Sequence, residues 1–409
     1  MTKEIKYYEF DLIKTDKNGN YYKFQNEIIF DCKRRKIKIP EELISQNNIN
    51  KGKNISENIN RPNGLINNGH YCSINALLQC LINCVPMTNY FLTKYKATHN
   101  NILSNCYLDF IQKYQKKDVY AAKNIINYFL SYDSTIKSAG SDSKDVLFEF
   151  FDRIQSELKQ SEASIIVEES TNPEIEKEII GERINLDRAD YSIIYECFNF
   201  WIINERKCCY NMYCPKFNIN LYEIRSESYF VFYLSDIYSK KLYSRRRNGN
   251  NNKLSLEDCF YYYFLEEGSC AYCNNKIDIK NKICKLPNIL IIVLNRGKNN
   301  HFNVNIEFHQ ELNLKECYQQ LKYNIDELNY ENCPNYNLLC GTILEKNYYN
   351  PGKGHTIAFA NDYKGKYNIY DDNRVAINVD FQDIKNKDVY IIFYQMKKSN
   401  NKTLKMNNI

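Results

Sequence analysis

The sequence predicts an α+β protein in which a helical part precedes a part built from strands. Between residues 61 and 158, apolar residues recur at helical spacing in four segments, the first beginning near Cys72. Residues 286–296 form a continuous apolar run of strand length, which indicates a strand buried on both faces. The last quarter of the chain alternates β-type runs with turns. Helices and strands segregated in this way are typical of the α+β class.

Both ends of the chain differ in composition from this central part. Residues 1–60 contain two β-type runs around a turn at Asn18-Gly19, and then a polar stretch rich in Asn and Lys. They predict a small β-rich extension followed by a linker. The polar residues 399–409 predict a disordered tail, and the acidic residues 159–190 predict an exposed connection.

The charge of the chain does not demand nucleic acid as a partner. The formal net charge is +6 over 409 residues, and no long basic tract dominates. The arginines at 245–247 lie in an Asn-rich stretch that favours a solvated loop. A polar N-terminus and apolar runs no longer than a strand predict a protein of the cytoplasm, the nucleus or both, with no membrane partner. The 16 cysteines are then expected to be reduced, some of them bound to metal or used in chemistry.

Cys72 lies where a turn-rich loop changes into a helix. Two glycines and two asparagines precede it, and the apolar residues after it have helical spacing. The helix dipole and unpaired N–H groups at such a position favour a thiolate, the form in which cysteine is a nucleophile. Asn67 could donate its side-chain amide to an oxyanion beside the backbone N–H of Cys72. The alternative is a buried cysteine that only packs against the helix.

His355 and Asp371 form a second candidate group. His355 is one of five histidines, follows a Gly-rich turn and begins a β-type run. Asp371 lies in a turn after the next run, at 366–370. Two adjacent antiparallel strands would place His355 beside Asp371, an arrangement in which a carboxylate orients an imidazole. A surface or capping histidine is the alternative.

Asp142 and Asp145 stand three residues apart at the start of a predicted helix, 144–158. An N-cap and a first-turn acid that complement the helix dipole would explain this pair structurally. The functional alternative is that both carboxylates face a groove and hold a basic peptide.

Two groups of cysteines predict a metal site. Cys270 and Cys273 form a Cys-x-x-Cys pair, and a looser group precedes them at 208–214. Two pairs that intervening strands bring together fit a tetrahedral zinc site. We expect one structural zinc ion with four ligands, which are Cys209, Cys214, Cys270 and Cys273. Cys208 competes with Cys209 for its place, and four reduced thiols or a metal-free finger are the alternatives.

Taken in order, these segments resemble the ubiquitin-specific proteases, a family of papain-like cysteine deubiquitinases. The cysteine motif of that family is matched at Gly64, Leu65, Asn67, Gly69, Cys72, Asn75, Leu78, Gln79 and Leu81. Further matches are the acidic box at 141–147, the cysteine pairs, the strand at 286–296, Gly354-His355, Tyr370-Asp371-Asp372 and the closing strand at 389–394. The resemblance covers residues 61–398.

The resemblance implies a fold of fingers, palm and thumb, with a helical thumb, a β-rich palm and zinc-ribbon fingers at about 198–285. It implies that the matched residues form one catalytic domain that hydrolyses the peptide or isopeptide bond after the C-terminal glycine of ubiquitin. In that reaction Cys72 is the nucleophile and His355 the general base and acid. Asp371 orients the histidine, and Asn67 belongs to the oxyanion hole.

The resemblance also implies the partners of the protein. Asp142 and Asp145 would hold the arginines of the ubiquitin tail. Ubiquitin and ubiquitinated proteins would bind a monomer, with no nucleic acid or membrane partner. The structural zinc ion would be bound by four cysteines, and catalysis would need no cofactor.

Several positions depart from the pattern of the family. Ser73 replaces an aromatic residue, Thr356 replaces a tyrosine, and the acidic box lacks its two glutamines. Two alternatives follow, a catalytically silent ubiquitin-binding scaffold and a protease for another ubiquitin-like modifier. A third is a zinc-ribbon protein that binds nucleic acid, suggested by the cysteine pairs and the run at 245–247.

Overall fold

The structure, a computed structural model, describes residues 62–132, 142–159, 192–208, 212–215, 217, 220–244, 253–265, 268–270, 272–297, 302, 304–318, 333–345, 354–362 and 364–397. The predicted extension and linker at 1–60, the run at 245–247 and the tail at 399–409 lie outside the described residues. So does the predicted connection beyond residue 159. Among the described residues, six helices precede the first strand and most of the later elements are strands, which is the predicted α+β arrangement.

Five helices of the described residues make up the helical part. They are α1 (Cys72–Ile82), α2 (Val85–Thr93), α3 (Ile102–Gln115), α4 (Lys123–Tyr132) and α5 (Ser143–Leu158). All but α2 correspond to the four predicted segments. In their common core, the ring centroid of Tyr107 lies 4.9 Å from that of Phe91 and 5.2 Å from that of Phe150. Aromatic side chains therefore supply much of the contact between these helices.

The sequence favours a strand through residues 193–201, and the structure corrects this prediction. Residues Ile193–Phe198 form helix α6, and strand β1 (Phe200–Lys207) begins after it. The side chain of Ser192 caps α6 by accepting a hydrogen bond from the backbone N–H of Tyr195, at 3.4 Å. A cap and one buried helix face thus outweigh the β propensity of these residues. The buried positions are Ile193, Ile194, Cys197 and Phe198.

A four-stranded antiparallel sheet follows α6. Its strands are β1, β2 (Asn220–Glu227), β5 (Gly268–Ser269) and β6 (Lys276–Lys285), in the spatial order β2-β1-β6-β5. One cysteine segment follows β1 and the other precedes β6. Because Lys207 at the end of β1 pairs with Asp278 near the start of β6, both segments lie at the same end of the sheet.

The largest sheet of the described residues has eight strands. They are β3 (Phe230–Tyr233), β7 (Ile289–Asn295), β9 (Glu311–Asn313), β10 (Asn335–Glu345), β11 (His355–Asn361), β12 (Tyr367–Asp371), β13 (Arg374–Val379) and β14 (Val389–Met396). Seven of them follow the spatial order β13-β12-β11-β10-β14-β7-β3, and β9 pairs with β10. The strand β3 is parallel to β7, and the other pairs are antiparallel.

Shorter elements complete the described fold. The strands β4 (Lys253–Ser255) and β8 (Asn305–Glu307) form a separate parallel pair. The helices α7 (Leu234–Ser244) and α8 (Leu256–Phe264) pack together, and α9 (Phe381–Lys385) precedes β14. No helix in the part of the chain that the structure describes has the length and hydropathy of a membrane span.

The strand β7 separates two hydrophobic cores. Its odd-numbered residues from Ile289 to Val293 pack into the core of helices α1–α6. Its even-numbered residues from Leu290 to Leu294 pack into a second core, shared with α7 and α8. Successive side chains of a strand point to opposite faces, so this alternation confirms the prediction of a strand buried on both sides.

Candidate active site

Cys72 is the first residue of helix α1, which packs on strand β11. Tyr71 occupies the N-cap position and makes no side-chain capping hydrogen bond, and the first turn of the helix contains no acidic residue. Cys72 is half-buried, and the side chain of His355 and the backbone N–H of Thr356 act on its sulfur to lower the pKa of the thiol. The predicted position of Cys72, at a loop-to-helix junction, is confirmed.

His355 begins strand β11, and Asp371 ends the neighbouring antiparallel strand β12. Nε2 of His355 lies 2.6 Å from Oδ1 of Asp371. The antiparallel pairing thus brings the two side chains together, as the sequence predicts. Because Asp371 occupies Nε2, Nδ1 is the ring nitrogen that remains for the thiol of Cys72.

These contacts favour a charged pair of sulfur and imidazole. Burial alone would raise the pKa of the Cys72 thiol, but hydrogen bonds from His355 and from the Thr356 backbone lower this pKa below its ordinary value. Contact with Cys72 raises the pKa of His355, burial opposes this rise, and the hydrogen bond to Asp371 adds to it, giving about 9. Both shifts favour the form of the pair in which Cys72 is a thiolate and His355 an imidazolium.

Asn67 organises the loop that leads to Cys72. Its Oδ1 accepts hydrogen bonds from the backbone N–H groups of Gly69, at 3.2 Å, and Tyr71, at 3.1 Å. Its Nδ2 donates one hydrogen bond to Oδ2 of Asp372, at 2.9 Å. An amide nitrogen carries two protons, so the second remains for another acceptor.

Asp372 has a role in this site that the sequence analysis did not assign. Its Oδ2 accepts from Asn67, and its Oδ1 accepts from Nδ2 of Asn75, at 2.9 Å. Its backbone oxygen accepts from the N–H of Leu65, at 2.8 Å. Asp372 thus ties the loop before Cys72 and helix α1 to the β12–β13 turn. The available signals were its place beside Asp371 and the presence of Asn75 in the cysteine motif.

Gly64 allows this close approach of loop and turn. A Cβ atom at this position would lie 2.5 Å from the backbone oxygen of Asn373. That is closer than carbon and oxygen approach without a shift of the backbone. A glycine is therefore required where the Cys72 loop meets the β12–β13 turn.

Ser73 and Thr356 follow the thiol and the imidazole directly. Their hydroxyl oxygens are 3.4 Å apart, and both residues are buried. The two small residues that depart from the family pattern therefore contact each other between helix α1 and strand β11.

Asp142 and Asp145 lie apart from this group, at the start of helix α5. Asp142 is the N-cap, and its Oδ1 accepts from the backbone N–H of Lys144, at 2.9 Å. Its Oδ2 accepts from the hydroxyl of Tyr390 in β14, at 2.8 Å. The carboxylate of Asp145 is exposed and pairs with Nζ of Lys144, at 2.7 Å. The structural interpretation of Asp142 as a cap is thus confirmed, and Asp142 also joins helix α5 to the large sheet.

Four cysteine sulfurs converge at the end of the four-stranded sheet. They belong to Cys208, Cys214, Cys270 and Cys273, and all lie within 4.8 Å of one another. The sulfurs of Cys208 and Cys273 are 3.6 Å apart, as are those of Cys214 and Cys270. Sulfurs bound tetrahedrally to zinc at about 2.3 Å would be about 3.8 Å apart, so this donor set fits a structural zinc ion.

The described cluster contains Cys208, the residue that competes with Cys209 in the sequence analysis. Cys209 itself lies outside the described residues. Cys208 directly follows β1 and bridges to Phe217, and this backbone position directs its sulfur to the cluster. The four described thiols complete a tetrahedral set. The backbone N–H of Tyr272 helps lower the pKa of the Cys270 thiol to about 7, which favours the thiolate that binds metal.

Residues 63–394 match the family described as ubiquitin carboxyl-terminal hydrolase. The chain belongs to this family. The match spans the helical part, both main sheets and every candidate site residue, so the predicted family is confirmed. No curated protein matches the chain in sequence.

Solved structures of the family share the fold at low sequence identity. One is the SAGA DUB module of a Ubp8 variant with Sgf11, Sus1 and Sgf73, bound to monoubiquitin. Its TM-score is 0.60 at 16% sequence identity, and the match covers 88% of this chain and 76% of that chain. A second is the module bound to ubiquitin aldehyde, with a TM-score of 0.58 and 16% identity over 85% of this chain and 72% of that chain. A third is the yeast module with an Sgf73 variant, with a TM-score of 0.56 and 18% identity over 85% of this chain and 71% of that chain.

The fold of the ubiquitin-specific proteases accounts for the parts of this structure. The helices α1–α5 are the thumb, which carries Cys72. The eight-stranded sheet is the palm, which carries His355 and Asp371. The four-stranded sheet with its cysteine cluster is the fingers region. Cys72, His355 and Asp371 therefore lie where thumb and palm meet.

Proposed function

We propose that this chain is a thiol-dependent deubiquitinase, which hydrolyses the peptide or isopeptide bond after the C-terminal glycine of ubiquitin. The observation that carries the proposal is that Cys72 and the hydrogen-bonded pair of His355 and Asp371 meet at the junction of helices and sheet in a fold of this family. Each member has the contact that its role requires. Ubiquitin and ubiquitinated proteins are the partners that we propose.

The first half of the reaction forms a thioester. The thiolate of Cys72 attacks the carbonyl carbon of the terminal glycine, and a C–S bond forms while the carbonyl oxygen becomes an oxyanion. When this intermediate collapses, the C–N bond breaks, and imidazolium His355 gives its proton to the leaving lysine amine. Asp371 holds the ring in the orientation that both proton transfers need.

The second half of the reaction returns the free enzyme. Neutral His355 takes a proton from water, and the resulting hydroxide attacks the thioester carbonyl carbon. The C–S bond then breaks, which releases ubiquitin with a free carboxylate and restores the thiolate of Cys72.

Asn67 and the backbone N–H of Cys72 are the donors that we propose for the oxyanion. Asp372 holds one Nδ2 proton of Asn67, which fixes the amide and leaves its second proton for the substrate. Removal of one such donor costs about 10²–10³ in rate in other enzymes. Asn67→Ala should therefore lower kcat far more than it raises KM.

The acids at the start of α5 are the proposed site for the substrate tail. The exposed carboxylate of Asp145 is open to a basic side chain, and Asp142 retains acceptor capacity beside its two donors. Both are therefore suited to the arginines of the ubiquitin tail.

Zinc bound by Cys208, Cys214, Cys270 and Cys273 would have a structural role. The four sulfurs would hold the ends of the two cysteine segments together beside the four-stranded sheet. In this proposal catalysis itself needs no metal.

Turnover of ubiquitin that carries a fluorogenic amide at its C-terminus tests the proposed function. Wild-type protein should release the fluorophore, and Cys72→Ala should release none while it still binds ubiquitin. Binding without turnover by the wild type would indicate the silent scaffold. Absence of both, with turnover of the corresponding conjugate of another modifier, would identify a different ubiquitin-like substrate.

A further inference from the structure

Lys144 is a cation seated among the two acids proposed for the substrate tail. Its Nζ lies 2.7 Å from Oδ1 of Asp145, and its side chain is only 20% exposed, against 62% for its partner. Its backbone N–H is bound by Asp142. The first turn of helix α5 and its N-cap therefore bring together the charged side chains of Asp142, Lys144 and Asp145.

The position of Lys144 is unfavourable for a lysine on its own. It is the second residue of helix α5, where the helix dipole disfavours positive charge. Burial would lower the pKa of its amine, but the hydrogen bond to Asp145 and the charge of Asp142 raise this pKa above its ordinary value. The two acids thus compensate for the dipole and for the partial loss of water.

The acceptors of this site are already partly used. One oxygen of Asp142 binds a backbone N–H and the other binds the hydroxyl of Tyr390. One oxygen of Asp145 binds the amine of Lys144. An arginine that binds Asp145 shares this carboxylate with the amine of Lys144, and the two cations repel each other at the same acceptor.

We infer that Lys144 is a specificity-determining residue, whose amine occupies the acidic tail site and competes with the basic tail of the substrate. This inference rests on the proposed function. The amine weakens the binding of tails that carry arginine and leaves the chemical step unchanged. An ion pair this exposed contributes little, so the competition should change KM by about two- to five-fold.

Steady-state kinetics with Lys144→Met and Lys144→Arg test the inference. Methionine retains an unbranched side chain without the charge, whereas arginine retains the charge. With the fluorogenic ubiquitin substrate, Lys144→Met should lower KM about two- to five-fold at unchanged kcat, and Lys144→Arg should keep the wild-type KM. On a substrate whose tail arginines are replaced by glutamine, Lys144→Met should have no effect.

The Asp145→Asn variant tests whether the competition takes place at the Asp145 carboxylate. In Asp145→Asn protein, Lys144→Met should no longer lower KM, because the amine has lost its partner. An increase in KM with Lys144→Met would overturn the inference, because Lys144 would then bind the substrate itself. An equal decrease on the glutamine-tail substrate would also overturn it.

The same variants separate this inference from the proposed function. Absence of turnover by the wild type contradicts the proposed function alone. The affinity of a fluorescent peptide with the ubiquitin tail sequence then decides about Lys144. Tighter peptide binding by Lys144→Met than by Lys144→Arg would support the inference, and equal affinities would overturn it.

Discussion

The charge state of Cys72 and His355 follows from the groups that contact them. Burial alone would raise the pKa of the thiol, but the imidazole and the Thr356 backbone lower it below its ordinary value. The thiolate and Asp371 raise the pKa of His355 to about 9. The reactive ion pair therefore exists between the two pKa values, and it is lost when either group changes its protonation.

A pH profile of kcat/KM tests this account of the residues. Activity should fall as the pH drops through the lowered pKa of Cys72, where the thiolate gains a proton. It should also fall as the pH rises through about 9, where His355 loses its proton. An alkaline limb near the ordinary histidine pKa of about 6.5 would contradict the account.

Asp371→Asn provides the matched control for the pH profile. Asparagine retains an oxygen acceptor near Nε2 but removes the negative charge that helps raise the pKa of His355. The alkaline limb should therefore move to lower pH, and kcat should fall. An unchanged limb would show that Asp371 does not set the protonation of the histidine.

At the scale of elements, the start of helix α1 is fixed by the turn between β12 and β13. Asp372 binds the side chains of Asn67 and Asn75 and the backbone of Leu65. This carboxylate therefore couples the position of helix α1 in the thumb to a turn of the palm.

Gly64→Ala should separate the loop before Cys72 from this turn. The added methyl group would lie 2.5 Å from the oxygen of Asn373, so the backbone must move. We expect a loss of about 1–3 kcal/mol in the free energy of unfolding, measured with urea, and a lower kcat. Gly354→Ala is the control, because its methyl would lie at an ordinary 3.7 Å from Glu345. Equal stability of the two variants would contradict the close packing at Gly64.

The cysteine cluster makes a prediction about metal content. Cys208→Ser should lower bound zinc from one ion per chain towards zero, because it removes one of the four converging sulfurs. Cys209→Ser should retain the zinc ion. Metal analysis of the purified variants checks both results, and zinc loss in Cys209→Ser alone would restore Cys209 as the ligand.

At the scale of the whole molecule, the sequence predicts what depends on local pattern and order. Helical spacing located α1, α3, α4 and α5, and the apolar run located β7. The order of short motifs identified the family and placed Cys72 near His355. These features are recoverable because each depends on neighbouring residues or on a series of matches along the chain.

The missed features depend on contacts between distant segments. Asn67 and Asp372 are 305 positions apart, and no periodicity connects them. The choice between Cys208 and Cys209 depended on the backbone direction after β1, which spacing alone does not define. The pairing of Lys144 with Asp145 requires side-chain positions that only the folded helix supplies.

The most direct test of the central claim is covalent labelling by ubiquitin with a thiol-reactive group at its C-terminus. Intact-mass and peptide mass spectrometry would measure how much adduct forms and at which cysteine. Wild-type protein should form one adduct, located at Cys72. Cys72→Ala should form none, although 15 other cysteines remain. An adduct at another cysteine, or none with the wild type, would contradict the assignment of Cys72 as the nucleophile of a deubiquitinase.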